Sequence, residues 1–147
     1  MSEESVGQGP HERALREASA YFNENLERFL AGEDVPIHPI WAEDVEIVNF
    51  EPSPFPGTYH GHDGLLQWTH DLFDELTDAR IDMIEMREDG DLVAARLRLS
   101  GRGRASGAEG SFDWGALFEM RDGRLIRASS DPTYEQTLER FGEQCAR

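Results

Sequence analysis

The stretch "GSFDWGALFEMRDGRLIRASS", Gly110 to Ser130, decides the fold class, because its apolar residues recur at every second position around one tight turn. Phe112, Trp114, Ala116, Phe118 and Met120 share one face of a strand, and Asp122-Gly123 supplies a two-residue hairpin into "GRLIRASS". The same period holds upstream. "ARIDMIEMR" and "DLVAARLRLSG" read as two further strands joined at Asp89-Gly90. In the second of these, Val93, Ala95, Leu97 and Leu99 lie on one face, and Arg96 and Arg98 on the other. Four strands linked in this way predict an antiparallel meander with one oily face that another element must cover.

The cover precedes the strands. "PHERALREASAYFNENLERFLAGE" sets Leu15, Ala18, Phe22, Leu26 and Phe29 along one helical stripe, and Gly32 ends it. "DVPIHPIW" predicts a single short helical turn, since Pro36 suits a first turn and Pro39 stops a longer one. "DVEIVNF", Asp44 to Phe50, is the first strand, and the proline-laden "EPSPFPG" a loop. "GLLQWTHDLFDEL" places Leu65, Trp68, Leu72 and Leu76 on one face of a second helix. "DPTYEQTLERFG" closes the chain with a short helix, Asp131 at its cap and Pro132 in its first position. Residues 1–9 read as a disordered polar tail and 10–147 as a single domain. The layout is α+β: a curved antiparallel sheet wrapped around the N-terminal helices, a cone-shaped barrel with an internal pocket.

A chain of 147 residues buries roughly 70 % of its unfolded surface, enough for a core and a cavity. Its formal charge is −16, and all 14 basic side chains are arginine. Such a chain repels phosphate backbones and anionic membranes, which argues against nucleic-acid and membrane partners. The lone Cys145 allows neither an internal disulfide nor a metal-binding cysteine pair. No apolar run approaches the roughly 18 residues of a membrane span, and "MSEESVGQGPHER" has no signal-peptide character; the expected location is cytoplasmic.

"PFPGTYHGHDGLLQW", Pro54 to Trp68, gathers two histidines, an aspartate and a tyrosine. A metal needs three or four converging donors, and His60, His62 and Asp63 supply part of one set, with His38 and His70 too remote to complete it. Gly57, Gly61 and Gly64 instead suit tight turns, with Asp63 capping the helix that carries Trp68. No metal and no cofactor is expected. Asn49 shares strand parity with Val45 and Ile47 and should face inward, and Ser130 aligns with Ile126 and Ala128 on the last strand. With Trp41, Phe55, Trp68, Phe73, Trp114 and Phe118 around them, the expected ligand is a small, flat, hydrophobic molecule.

Taken in order, "FLAGEDVPIHPIWAEDVEIV", "PGTYHGHDGLLQW" and "FEMRDGRLIRASSDP" resemble a SnoaL-like member of the nuclear transport factor 2-like superfamily, over about residues 12 to 142. The resemblance implies a cone with a pocket between sheet and helices, and a homodimer through the convex sheet face, with Leu117 as a candidate contact. The superfamily spans isomerases, cyclases, dehydratases, hydrolases and plain binding domains, so the fold alone names no reaction. The ketosteroid isomerase set is not matched: its base falls at Asn49, its tyrosine at Asn25 and its late aspartic acid at Ala116. An epoxide hydrolase needs an arginine inside the cone, and the parity of Arg96 and Arg98 turns them outward. Resemblance to SnoaL-type polyketide cyclases puts an acid–base carboxylate at Asp131, with Tyr59 and Asn49 polarising a substrate carbonyl. Asp113 is the other candidate acid, opposed in parity to Trp114. Two readings follow: a hydrophobic-ligand protein of polyketide or steroid type that isomerises or cyclises by proton transfer, or a binding or interaction module without chemistry.

Overall fold

The computed structural model describes residues 9–50 and 57–146. The expected tail, apart from Gly9, and most of the proline-rich loop, including Phe55, lie outside them. Helix α1 (Pro10–Leu30) starts with proline at its first position and ends where Gly32 adopts a φ of +78°. Its first-turn amides of His11 and Glu12 donate to the Glu88 carboxylate, so a distant strand provides the cap that Gly9 has no side chain to give. The stripe read from the sequence is the buried one: Leu15, Ala18, Leu26 and Phe29 all face the core.

The remaining elements are β1 (Trp41–Val48), β2 (Thr58–His60), α2 (Gly61–Phe73), β3 (Leu76–Asp89), β4 (Leu92–Gly103), β5 (Glu109–Arg121), β6 (Arg124–Asp131) and α3 (Tyr134–Cys145). Six strands form one curved, unclosed sheet in the order β2-β1-β6-β5-β4-β3. Hairpins at Gly90 and at Asp122-Gly123 use positive φ angles that their Asp-Gly sequences tolerate. Register shifts within the β3–β4, β5–β6 and β1–β6 pairs bend the sheet, as bulges do. Among the described residues no helix is long and apolar enough to cross a membrane.

Four local expectations need correction. The sheet is mixed: β1 runs parallel to β6, pairing Ile47 with Ala128 and Val48 with Ser129. "DVPIHPIW" forms no helix; it is irregular until a turn at Pro39 and Ile40, and β1 already begins at Trp41, with two prolines blocking the amides a helical turn needs. Helix α2 starts at Gly61, with His60 at its N-cap and no side-chain cap, so Asp63 lies in its first turn rather than at its end. Helix α3 is capped by Thr133, whose hydroxyl accepts from the Gln136 amide, and not by Asp131.

Helix α1 and helix α2 lie on the concave face and pack on the main core. Helix α3 takes the opposite face, where Tyr134, Leu138 and Phe141 cover Ala94 and Leu117. Leu117 is fully buried there, so a second subunit could not touch it without displacing α3. The outward parity of the two strand arginines holds. Arg98 forms a bidentate pair with Asp113, and Arg96 reaches Glu85 and Asp113. The guanidinium hydrogen bonds hold the Asp113 carboxyl below the usual range.

Candidate functional site

Alternation places the side chains of Trp114, Ala116 and Phe118 on the concave face of β5, while Asp113 and Leu117 point outward. Adjacent strands add Leu97 from β4, Leu125, Ala128 and Ser130 from β6, and Ile47 and Val48 from β1. The chain just beyond β1 adds Asn49 and Phe50. Across the hollow, α1 contributes Leu15, Ala18, Ser19 and Phe22, and α2 contributes Trp68 and Leu72. They enclose a cavity of about 370 Å³, within the range of small-molecule sites. Phe112, 54 % exposed, stands at the rim with its ring 5.3 Å from that of Trp114.

The chemistry of this lining is narrow. Among the described residues, every lining side chain is aliphatic, aromatic or methionine except Ser19, Asn49 and Ser130, and none is ionisable. Ser130 Oγ donates to the Val48 carbonyl at 3.2 Å and accepts from the Phe50 amide at 3.1 Å, tying the end of β6 to the end of β1. Ser19 Oγ donates to the Ile81 carbonyl at 3.0 Å, beside the two-way pairing of Asn23 with the Ile81 backbone. General acid–base catalysis needs a titratable group within hydrogen-bond reach of the reacting atom, and the described walls offer none.

The residues expected to act together are kept apart. Asp131 has the parity of Ser129, not of Ser130, and its carboxylate lies on the outer face, bonded to Arg140 Nη2 at 2.6 Å and Thr137 Oγ1 at 2.7 Å. Arg140 also donates to Ser129 Oγ and the Ser129 carbonyl, so this cluster clamps α3 to β6. Asp131 therefore cannot reach a ligand in the cavity. We expect Asp131→Asn to lower unfolding free energy by about 1 kcal/mol, through loss of a partly buried charged network. Ligand affinity should be unchanged. Urea denaturation beside a binding titration checks both, and lost affinity at unaltered stability would return Asp131 to the site.

Tyr59 is buried against Ile47 and Leu65 outside the cavity wall, and its hydroxyl donates to Asp71 Oδ2 at 2.6 Å. Burial, followed by that hydrogen bond, pushes its ionisation well above the ordinary tyrosine value. Phe73 is fully buried behind the wall, with its ring 5.6 Å from Phe22 and 6.2 Å from Trp68. Trp41, Trp68, Trp114, Phe118, Asn49 and Ser130 do line the cavity. Of the histidines in "PFPGTYHGHDGLLQW", His62 Nε2 lies 3.0 Å from the Trp41 carbonyl and His60 lies 3.7 Å from Glu46. Ser19 was not among the expected site residues. Its position four residues after Leu15 and three before Phe22, on the edge of the apolar stripe, was the available signal.

A profile of the SnoaL-like domain matches residues 18–128. The chain belongs to the SnoaL-like family. No curated protein matches this SnoaL-like chain in sequence. Among solved structures, TerC co-crystallised with polyporic acid is 24 % identical over 89 % of this chain and 97 % of its own, with a TM-score of 0.65. A nuclear transport factor 2-like protein of unknown function from Burkholderia pseudomallei is 17 % identical, covering 90 % and 97 %, with a TM-score of 0.64. A SnoaL-like polyketide cyclase, so described, from Jannaschia is 14 % identical, covering 84 % and 88 %, with a TM-score of 0.59. At these identities the likeness is one of fold.

Proposed function

We propose that this SnoaL-like protein binds a flat, largely apolar small molecule of polyketide-like type in the concave cavity, without acid–base chemistry of its own. One observation carries the reading: the cavity of about 370 Å³ has aromatic and aliphatic walls, three neutral polar side chains and no titratable group among the described residues. Aromatic walls favour a planar ligand through stacking and edge contacts, and a few polar groups orient it. The co-crystallisation of TerC with polyporic acid supports an organic ligand in this fold by analogy. Proton transfer through Asp131, Tyr59 and Asn49 is disfavoured, because the first two are bonded to Arg140 and Asp71 outside the cavity.

The test uses planar aromatic compounds, screened by thermal shift and by quenching of tryptophan fluorescence. A compound at a hundredfold its dissociation constant should add about 2.7 kcal/mol of stability. Ala116 is 3 % exposed, on the cavity wall between Trp114 and Phe118. In Ala116→Phe the added ring occupies the hollow, so affinity should fall at least tenfold while the melting temperature stays level or rises. Unchanged affinity in that variant would place the binding site elsewhere.

A further inference from the structure

The cavity also carries information about the charge of what it accepts. Resting on the proposed binding function, we infer that the site takes its ligand uncharged, with the ligand supplying a hydrogen-bond donor to Ser130 or Ser19.

Two observations converge. The described walls hold no ionisable side chain, so an ion entering them exchanges water for hydrocarbon and indole without a counter-charge. The second is the direction of the hydroxyl hydrogens. Ser130 donates to the Val48 carbonyl while accepting from the Phe50 amide, and Ser19 donates to the Ile81 carbonyl, so what each hydroxyl has left for the hollow is an oxygen lone pair rather than a hydrogen. An anion needs donors. The two hydroxyls are already engaged as donors and can only accept, and the other donors of the lining, the Asn49 amide and the indole N–H groups, are neutral and supply no counter-charge. The formal charge of −16 opposes anions further.

A cation is the sharper rival, since aromatic faces attract positive charge. Here four of the lining rings are already paired with a neighbouring ring. Phe22 packs 6.4 Å from Trp68 and 5.6 Å from Phe73, and Phe112 lies 5.3 Å from Trp114. No carboxylate among the described lining residues completes such a cage. A neutral planar phenol or enol fits both constraints: its ring fills the hollow and its hydroxyl donates to a serine oxygen.

The probes are 4-hydroxychalcone, 4-methoxychalcone and 4-(trimethylammonio)chalcone, titrated into the full chain by calorimetry from about two pH units below the phenol's pKa to about two above. If only the neutral phenol binds, its apparent dissociation constant rises tenfold per pH unit above that pKa, because binding excludes the phenolate. The methoxy compound should bind several-fold more weakly than the neutral phenol, with no pH dependence, which also shows the protein to be intact at each pH. The ammonium compound should bind at least tenfold more weakly than the methoxy compound. A phenolate or ammonium form that binds as tightly as the neutral one overturns the charge inference and leaves the binding function standing. A methoxy compound equal to the neutral phenol overturns the donor assignment. If none of the three binds at any pH, both the inference and the underlying function fall.

Discussion

Gly115→Val should unseat α3 from the sheet and lower the unfolding free energy by about 3 kcal/mol. The outer face of β5 meets the start of this helix with no room for a side chain. A Cβ at Gly115 would collide with Thr137 Oγ1 and stand 2.8 Å from the Thr133 carbonyl and 2.9 Å from Tyr134 Cα. Two of those three atoms are backbone, so no rotamer change relieves them. Moving the helix uncovers Leu117 and Ala94 and pulls Arg140 away from Asp131. Gly115→Ala should show the same effect at smaller size, and adding Thr137→Ala should recover only part of it. Urea denaturation of the three variants measures the series. Wild-type stability in Gly115→Val would mean that α3 does not rest on β5.

Phe73→Ala should cost about 3–5 kcal/mol, the range for emptying a fully buried aromatic position. Phe73 has no exposed surface and packs behind two wall residues, Phe22 and Trp68. Its removal leaves a void into which both rings can lean, so the cavity loses its shape as well as its support. Affinity for a planar ligand should therefore drop along with stability, whereas Asp131→Asn should separate the two. Phe73→Leu refills much of the space and should restore most of both. Denaturation and binding titrations on one preparation decide this, and a loss below about 1 kcal/mol would contradict the packing.

What the sequence revealed follows from what local pattern can encode. Alternation in "GSFDWGALFEM" identified both the strand and the face of Trp114, because side-chain direction repeats every two residues whatever the partner strand. The α1 stripe was equally plain. Parity also contained the correct answer for Asp131: if Ser130 faces inward, its neighbour must face out. The family resemblance pointed the other way, and the arginine that engages the carboxylate stands nine residues later, where spacing gives no hint. The cap falls at Thr133 instead of the expected Asp131 for a related reason, since either side chain suits a helix start and the contact with Arg140 takes the aspartate away from it. The parallel pairing of β1 with β6 was beyond reach, because a strand's own pattern does not name its neighbour.

That pairing governs when the chain can become itself. Ser130 and Val48, joined by a hydrogen bond at the seam, are 82 residues apart. During synthesis the β1 segment waits, its inner face without a lateral neighbour on that side, until the last strand leaves the ribosome. Such long-range closure slows folding and leaves sticky intermediates exposed in the meantime. The hollow is thus among the last features to be assembled, and a molecule that prefers its finished shape would brace a seam between strands 82 residues apart.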